Sequence, residues 1–431
     1  MTFYKKQHII IRENLLLGVR VRTEASMERK NKKKKWIKWR HRLVRNLLYL
    51  ALTPYCRIKY GLRVERFREQ EDRPYLILLN HQTPMDQFFV GMSFRGPIYY
   101  LATEDIFSNG WVSKLIRYLV APIPIKKQTT DVKAILNCIR VVKEGGTISI
   151  APEGNRTYSG RTEYMSPSIV PLARKLGLPI VLYRIEGGYG AQPRWSDVVR
   201  RGKMRSYVAR VVHPEEYATL SDDELFAIIR DGLYVDEACS DGEYRHKKCA
   251  EYLERAVYVC PECGLSTFVS HRDVVRCTRC GWEIRYLPTK ELRGVERKFP
   301  FPFVAQWYDY QKKFINGLDV TVYTEEPLYR EQIALSKVIP YDRKVPLCKT
   351  AELSLFGDRM EIASEEGSYR FAFDGTRAVT VLGRNKLNVY HGDTVYQIKG
   401  GKRFNALKYV HLYHRYQNIK KGEQHVEFLG L

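Results

Sequence analysis

Between about residues 61 and 255, short apolar runs alternate with longer stretches in which apolar positions recur at helical spacing. The pattern predicts strands over Tyr75–Leu79, Ile98–Leu101, Thr147–Ile150, Ile180–Ile185 and Arg205–Val212. It predicts helices over Ser113–Val120, Thr130–Lys143, Ser168–Leu176 and Asp222–Arg230. Such alternation implies an α/β domain, a mixed sheet flanked by helices. From about residue 345 the pattern changes to short alternating runs: "AELSLFGDRMEIA", "SYRFAF", "AVTVL", "KLNVY" and "TVYQI". Gly and Asp turns separate them, as between antiparallel strands. A last segment, Lys402–Lys420, carries Phe404, Leu407, Val410 and Tyr413 at helical spacing.

The chain divides accordingly. Residues 1–60 are a basic arm and an amphipathic, membrane-associating helix; 61–255 are the α/β domain; 256–290 hold two cysteine pairs. Residues 291–344 read as a linker with a helical segment, and 345–431 as a small β-rich domain with a terminal helix. Several antiparallel strands capped by one helix resemble a pleckstrin-homology-like or GRAM-like barrel. The opening "MTFYKKQHIIIRENLLLGVRVRTEAS" has no clear cleavage site, and Met27, directly before the basic run, reads as an alternative start.

Charge sharpens this picture. The chain has 431 residues, 44% of them hydrophobic, and a formal net charge of +24. That charge points to an anionic partner: nucleic acid, an anionic membrane surface or a phosphorylated substrate. Ten Lys or Arg residues and no acid lie between Arg29 and Arg45, with Trp36 and Trp39 among them. Leu43–Cys56, "LVRNLLYLALTPYC", contains Arg45 and Asn46 and nears its end at Pro54, so it reads as a helix in an interface. No run of eighteen or more apolar residues occurs, so no simple membrane span is readable. Trp at the headgroup level and lysines facing anionic lipid fit peripheral attachment. The alternatives are a solvated charge run and a nucleic-acid arm.

Candidate chemistry begins at "NHQTPMD", Asn80–Asp86, where an apolar strand ends. Pro84 disfavours helical geometry at Thr83 and suits a first helical position. Thr83 then reads as an N-cap, Pro84 as N1 and Asp86 as N3. Across such a loop-to-helix junction His81 and Asp86 can meet, Asp86 orienting an imidazole that takes a proton from a hydroxyl. The competing reading is a capping box, since Asp favours a helix N-terminus in any case. Seventy-two positions after His81, Glu153 stands in "ISIAPEGNRTYSG", Ile148–Gly160. Gly154 permits close backbone approach, and Arg156 supplies a rigid fork for phosphate. "APIPIKK" lies between the two motifs and "GLPIVLY" follows them.

"NHQTPMD", "APIPIKK", "APEGNRT" and "GLPIVLY" resemble the four ordered blocks of the glycerophospholipid acyltransferases, of the lysophosphatidic acid acyltransferase type. The resemblance covers about residues 60–215. It implies that His81 and Asp86 activate the acceptor hydroxyl, which attacks the thioester of acyl-CoA or acyl carrier protein with no acyl-enzyme. It implies that Glu153, Gly154, Arg156 and the second-block Lys127 hold the glycerol phosphate. The implied reaction converts 1-acyl-glycerol 3-phosphate to phosphatidic acid. It would run at the cytoplasmic face of the cell membrane. Departures from the family pattern are Thr83 for Ser, Asn155 for Thr, Ala151 where Phe is frequent and Leu182 in place of a second proline. They leave another lysolipid open as acceptor.

Cys260, Cys263, Cys277 and Cys280 form C-x2-C, thirteen residues, C-x2-C, each pair followed by Gly264 or Gly281. Four thiolates close a tetrahedral zinc site, which leaves no open position for substrate, so this reads as a structural zinc ribbon. A redox pair is the lesser alternative. Cys56, Cys138, Cys239, Cys249 and Cys348 lack ligand spacing, and His271 reads as exposed. A ribbon in so basic a chain keeps two other classes open. One is a nucleic-acid-binding protein, disfavoured because no aromatic-basic motif accompanies the charge. The other is a non-catalytic lipid-binding scaffold.

Overall fold

The computed structural model describes residues 35–125, 131–239, 242–339 and 342–423. The described residues from Trp39 onward form one compact unit. The basic arm up to residue 34 and Lys127 therefore lie outside the described residues.

In chain order the elements of the first half are α1 (Trp39–Tyr60), β1 (Leu62–Val64), β2 (Leu76–Leu79), α2 (Asp86–Ser93), β3 (Ile98–Thr103), α3 (Trp111–Leu119), β4 (Ile123–Ile125), α4 (Val132–Lys143), β5 (Thr147–Ile150), α5 (Ile169–Leu176), β6 (Ile180–Glu186), α6 (Gly188–Ala191), β7 (Met204–Val212), α7 (Pro214–Ala218) and α8 (Asp222–Leu233). Among the described residues seven strands form one mixed sheet, ordered β1-β7-β6-β2-β5-β3-β4. β2 runs parallel to β5 and β6, while β6 and β7 are antiparallel. All four residues of β2 are buried, as a central strand covered on both faces must be. The strands and helices expected here are present within two or three residues.

α1 is more tied to the domain than its apolar pattern implies. His41, Cys56 and Tyr60 are buried, and Tyr60 donates to Gln192 Oε1 at 2.7 Å. His41 Nδ1 meets the Tyr99 hydroxyl at 3.0 Å. The opposite ridge, Trp39, Leu43, Leu47, Leu50 and Ile58, faces solvent. Neighbouring α3 also exposes Trp111, Leu115 and Tyr118, and Arg40 Nε donates to Tyr118 O at 2.9 Å. Among the described residues no helix is long and apolar enough to cross a membrane.

The second half contains β8 (Val259–Cys260), β9 (Gly264–Leu265), β10 (Phe268–His271), β11 (Val274–Cys277), β12 (Glu283–Tyr286), β13 (Leu292–Gly294), α9 (Val304–Asn316), β14 (Tyr329–Val338), β15 (Lys344–Leu355), β16 (Arg359–Ser364), β17 (Gly367–Ala372), β18 (Thr376–Leu382), β19 (Lys386–His391), β20 (Thr394–Gly400) and α10 (Leu407–Lys420). β14 to β20 form an antiparallel sheet ordered β17-β16-β15-β14-β20-β19-β18. It is curled: Phe371 of β17 meets Tyr396 of β20 at a ring distance of 4.9 Å, although three strands separate them in the sheet. Two expectations need correcting. The segment 291–344 is no linker, because it supplies β13, α9 and β14, the long first strand of this sheet. The terminal helix begins at Leu407, not Lys402.

The ribbon and the second sheet have no separate cores. Val275 and Cys277 belong to one buried cluster with Trp307, Leu353, Leu412 and, from the first half, Tyr158 and Trp195. Trp307 Nε1 donates to Val259 O at 2.8 Å. Gln311 Oε1 accepts from Tyr258 N at 2.7 Å, and its Nε2 donates to Ala256 O at 3.1 Å. α9 thus stitches the strand that leads into the ribbon.

Candidate active site

Three strand ends converge on the "NHQTPMD" loop. Asn80 clamps it to β6, donating Nδ2 to Ile185 O and accepting from Ile185 N, both at 2.8 Å. His81 N donates to Glu153 Oε1 at 2.9 Å, which fastens the loop to the turn after β5. Gly188, just past β6, lets the backbone come close: a Cβ there would sit 2.5 Å from Gln82 Cβ.

Within the loop, His81 Nδ1 lies 2.7 Å from Asp86 Oδ2. The Asp86 side chain is 1% exposed and that of His81 is 27% exposed. The same carboxylate accepts from Gln82 N at 2.6 Å, from Thr83 N at 2.9 and 3.0 Å and from Thr83 Oγ1 at 2.6 Å. A buried carboxylate is tolerable only when saturated in this way. The two readings of the motif are therefore not rivals: one carboxylate both braces the turn and holds the imidazole. The helix, however, starts at Asp86 with Met85 as its cap, not at Pro84. Residues 83–85 form the turn before it, and Thr83 Oγ1 accepts from Met85 N at 3.1 Å. With Nδ1–H directed at Asp86, the Nε2 lone pair is the position left for an acceptor hydroxyl.

Beside the dyad, Glu153 is buried, and burial pushes its carboxyl up to about 8. Gly154 adopts a positive φ of 69° in the turn, the conformation for which glycine is suited. Arg156 is pulled down to about 10, chiefly by burial and then by Arg194. Its Nη1 is buried without a hydrogen-bond partner among the described residues. Its carbonyl accepts from Arg194 Nη1 at 2.9 Å, while Arg194 Nη2 donates to Asn155 Oδ1 at 3.3 Å. Arg194 is 3% exposed, and its guanidinium lies 4.6 Å from the Tyr158 ring centre. Sequence reasoning singled out neither Asn80 nor Arg194. Asn80 sits inside the quoted motif and was legible as its first letter; Arg194 lies in a loop with no local pattern to mark it.

Residues 62–185 match the family model described as Acyltransferase. The chain carries an acyltransferase-family domain. The 1-acyl-sn-glycerol-3-phosphate acyltransferase of Bacillus subtilis is 23% identical over 185 residues, covering 42% of this chain and 89% of that protein. The chloroplastic enzyme BAT2 of Brassica napus, bearing the same activity name, is 22% identical over 183 residues, 41% of this chain and 52% of that protein. The chain thus spans most of the bacterial relative and about half of the plastid one. The solved structure of the 1-acyl-sn-glycerophosphate (LPA) acyltransferase PlsC from Thermotoga maritima aligns with a TM-score of 0.37 and 22% identity, over 44% of this chain and 78% of that one. By this match residues 62–185 are an acyltransferase domain.

Residues 253–288 match a zinc-ribbon family model described as DNA directed RNA polymerase, 7 kDa subunit. Cys260, Cys263, Cys277 and Cys280 stand with all four sulfurs within 4.8 Å of one another. Cys260 Sγ–Cys280 Sγ is 3.7 Å and Cys263 Sγ–Cys277 Sγ is 3.6 Å. A tetrahedron with Zn–S bonds of ~2.3 Å has edges of about 3.8 Å, so the four thiols fit a zinc ion. Gly264 and Gly281 take positive φ of 72° and 77° and allow the two knuckles. His271 is exposed and outside this cluster. Of the remaining cysteines, Cys56, Cys138, Cys249 and Cys348 are buried and Cys239 is exposed.

Proposed function

We propose that the acyltransferase domain acylates the free hydroxyl of 1-acyl-glycerol 3-phosphate, forming phosphatidic acid. The observation carrying this reading is the 2.7 Å contact of His81 Nδ1 with a buried, fully hydrogen-bonded Asp86. In the proposed step Nε2 of His81 takes the hydroxyl proton as the oxygen attacks the thioester carbonyl carbon. The C–O ester bond forms and the C–S bond breaks. The proton passes from His81 to the departing thiolate, so nothing is left on the enzyme. Asp86 holds the ring in the tautomer this requires and balances the imidazolium that forms. Arg156 binds the acceptor phosphate with its unpartnered Nη1; Glu153 and Gly154 shape the turn that presents it, and Lys127 completes the set. The donor is acyl-CoA or acyl carrier protein.

Four cysteines hold a structural zinc in the ribbon at 256–290, outside the acyltransferase domain at 61–255. The curled C-terminal sheet is read as pleckstrin-homology-like. Its support is the strand order: counted from its own first strand it runs 4-3-2-1-7-6-5 and is followed by a helix. The exposed apolar ridges of α1 and α3 support peripheral attachment to anionic lipid at the cytoplasmic face of the cell membrane.

The test uses purified protein in lipid vesicles, with labelled acyl-CoA or acyl carrier protein and a panel of lysolipids. Wild type is expected to form phosphatidic acid, and His81→Ala to lose about 10²- to 10⁴-fold in rate with an unchanged melting temperature. Transfer to a different lysolipid replaces the acceptor but keeps the dyad. Full activity in His81→Ala removes the dyad.

A further inference from the structure

A hairpin of the C-terminal sheet reaches the loop after α6 in the acyltransferase domain. β18 and β19 are joined by Gly383, Arg384 and Asn385, with Gly383 at a φ of 61°. The turn is fixed from beneath. Asn385 Nδ2 donates to Gly400 O at 2.8 Å, and Gly400 N donates to Asn385 O at 3.1 Å. Arg384 is therefore presented from a held backbone. Its Nη1 lies 3.0 Å from Asp197 Oδ1, and its side chain is 32% exposed.

Asp197 does not belong to Arg384 alone. Arg255 takes the same carboxylate with Nη1 at 2.7 Å and Nη2 at 3.2 Å. Two guanidinium groups thus share one negative charge, and the positive excess stays at this spot. Asp197 follows Arg194 by three positions, with Trp195 fully buried between them. Arg194 in turn donates to the carbonyl of Arg156, whose Nη1 is buried and unpartnered among the described residues. Guanidinium groups from three remote parts of the chain converge here: Arg156 after β5, Arg194 after α6 and Arg384 from the far sheet. A buried, unsatisfied donor among like charges is costly, and a bound anion would offset that cost.

We propose that Arg384 is a specificity residue of the acyltransferase site, supplied by the C-terminal sheet to bind the phosphate of the acceptor alongside Arg156. This rests on the reaction proposed above. The electrostatics agree with the geometry. After burial, Arg194 and Arg384 both lower Arg156, while Asp86 of the dyad acts on it in the opposite sense. Arg384 and Asp86 both act on Tyr60 as well. Arg384 and Asp86 thus act on the same two side chains, Arg156 and Tyr60. An anion beside Arg156 would face two or three guanidinium forks, the geometry suited to a phosphate monoester.

The test compares the full-length wild type with Arg384→Gln and Arg384→Lys in phosphatidylcholine vesicles containing lysophosphatidate. Losing one charge-assisted contact is expected to raise the acceptor KM roughly tenfold to a hundredfold in Arg384→Gln. The donor KM, zinc content and melting temperature stay as in wild type, and Arg384→Lys recovers part of the loss. An unchanged acceptor KM in Arg384→Gln, beside a wild type that makes phosphatidic acid, overturns this inference alone. An equal rise in donor KM, or a lowered melting temperature, assigns Arg384 to structure and also overturns it. A wild type that ignores lysophosphatidate and acylates a neutral acceptor overturns the proposed acceptor, and the role of Arg384 with it.

Discussion

The first seven-stranded sheet is built largely from parallel pairs, the second wholly from antiparallel ones. Parallel neighbours need crossover helices, and those helices cover both faces of the sheet. The loops at the strand ends are then the free backbone, and the dyad, Glu153 and Gly188 all sit there. Antiparallel neighbours need only hairpins, so the second sheet must find its cover elsewhere. It takes it from α10 and from the ribbon with α9. The difference teaches where chemistry and stability reside. The first sheet carries the proposed catalytic pair locally, close to strands that fold around it. The second is stabilised by partners distant in sequence and offers the site a single hairpin.

Removal of zinc should break this contrast most strongly. Structural zinc contributes about 10–16 kcal/mol in small zinc domains. Because Cys260 and Cys277 lie in the core shared with the second sheet, stripping the metal, or Cys277→Ser, should collapse the ribbon and that sheet together. Near-ultraviolet dichroism with parallel zinc analysis reads this out. A second sheet that stays ordered without zinc would show the cores to be separable.

Trp307→Ala should cost about 3–5 kcal/mol, through the cavity and through Val259 O left without its donor. Urea unfolding measures it, and a loss under 1 kcal/mol would remove α9 as the stitch between ribbon and sheet. Smaller still is the effect expected at the outer ridge. Leu47→Asp with Leu50→Asp should weaken vesicle binding by at least about tenfold while leaving the melting temperature near wild type, since both side chains are exposed. Unchanged flotation with vesicles would detach α1 from the membrane role.

The smallest expected effect is a pH dependence of stability. Burial lifts Glu153 to about 8 and Glu237 to about 7, against an unfolded carboxyl near ~4.3. Between those values the folded chain keeps protons that the unfolded chain has lost. The contribution of each group is therefore full below the unfolded value and falls as pH rises toward its folded value. The melting temperature should decline from pH 6 to pH 9, and Glu153→Gln should flatten part of that decline. A wild-type melting temperature that rises over this range would contradict the sign.

What was legible in the sequence follows the same division. β5 is the strand read from its pattern, residue for residue, and the dyad was visible because His81 and Asp86 are five positions apart in one loop. The turn before α2 was misplaced by two residues, since Asp86 spends its oxygens on Gln82, Thr83 and His81 together, which no cap rule anticipates. β14 went unread because Glu331 and Lys337 interrupt its alternation. Glu331 is satisfied by Lys408 at 2.8 Å and by the Tyr409 hydroxyl at 2.6 Å, groups of α10 far along the chain. Arg384 was equally hidden, as its partner Asp197 lies in the loop between α6 and β7, far back along the chain. Local pattern reports local partners, and these are not local.

The last helix has a consequence for synthesis. Ten residues of α10 are buried, among them His411, whose Nδ1 meets the hydroxyl of Tyr258 at 2.7 Å across 153 positions of chain. A ribosome adding ~5–20 residues per second delivers that partner roughly 8 to 30 seconds after Tyr258 has emerged. For most of this interval the four thiols are outside the exit tunnel, while the core that holds Cys260 and Cys277 lacks its last helix. Metal captured early would hold the knuckles in shape until the terminal helix arrives. A chain released short of Leu407 would leave that wait unfinished, and its exposed core would be a substrate for quality control.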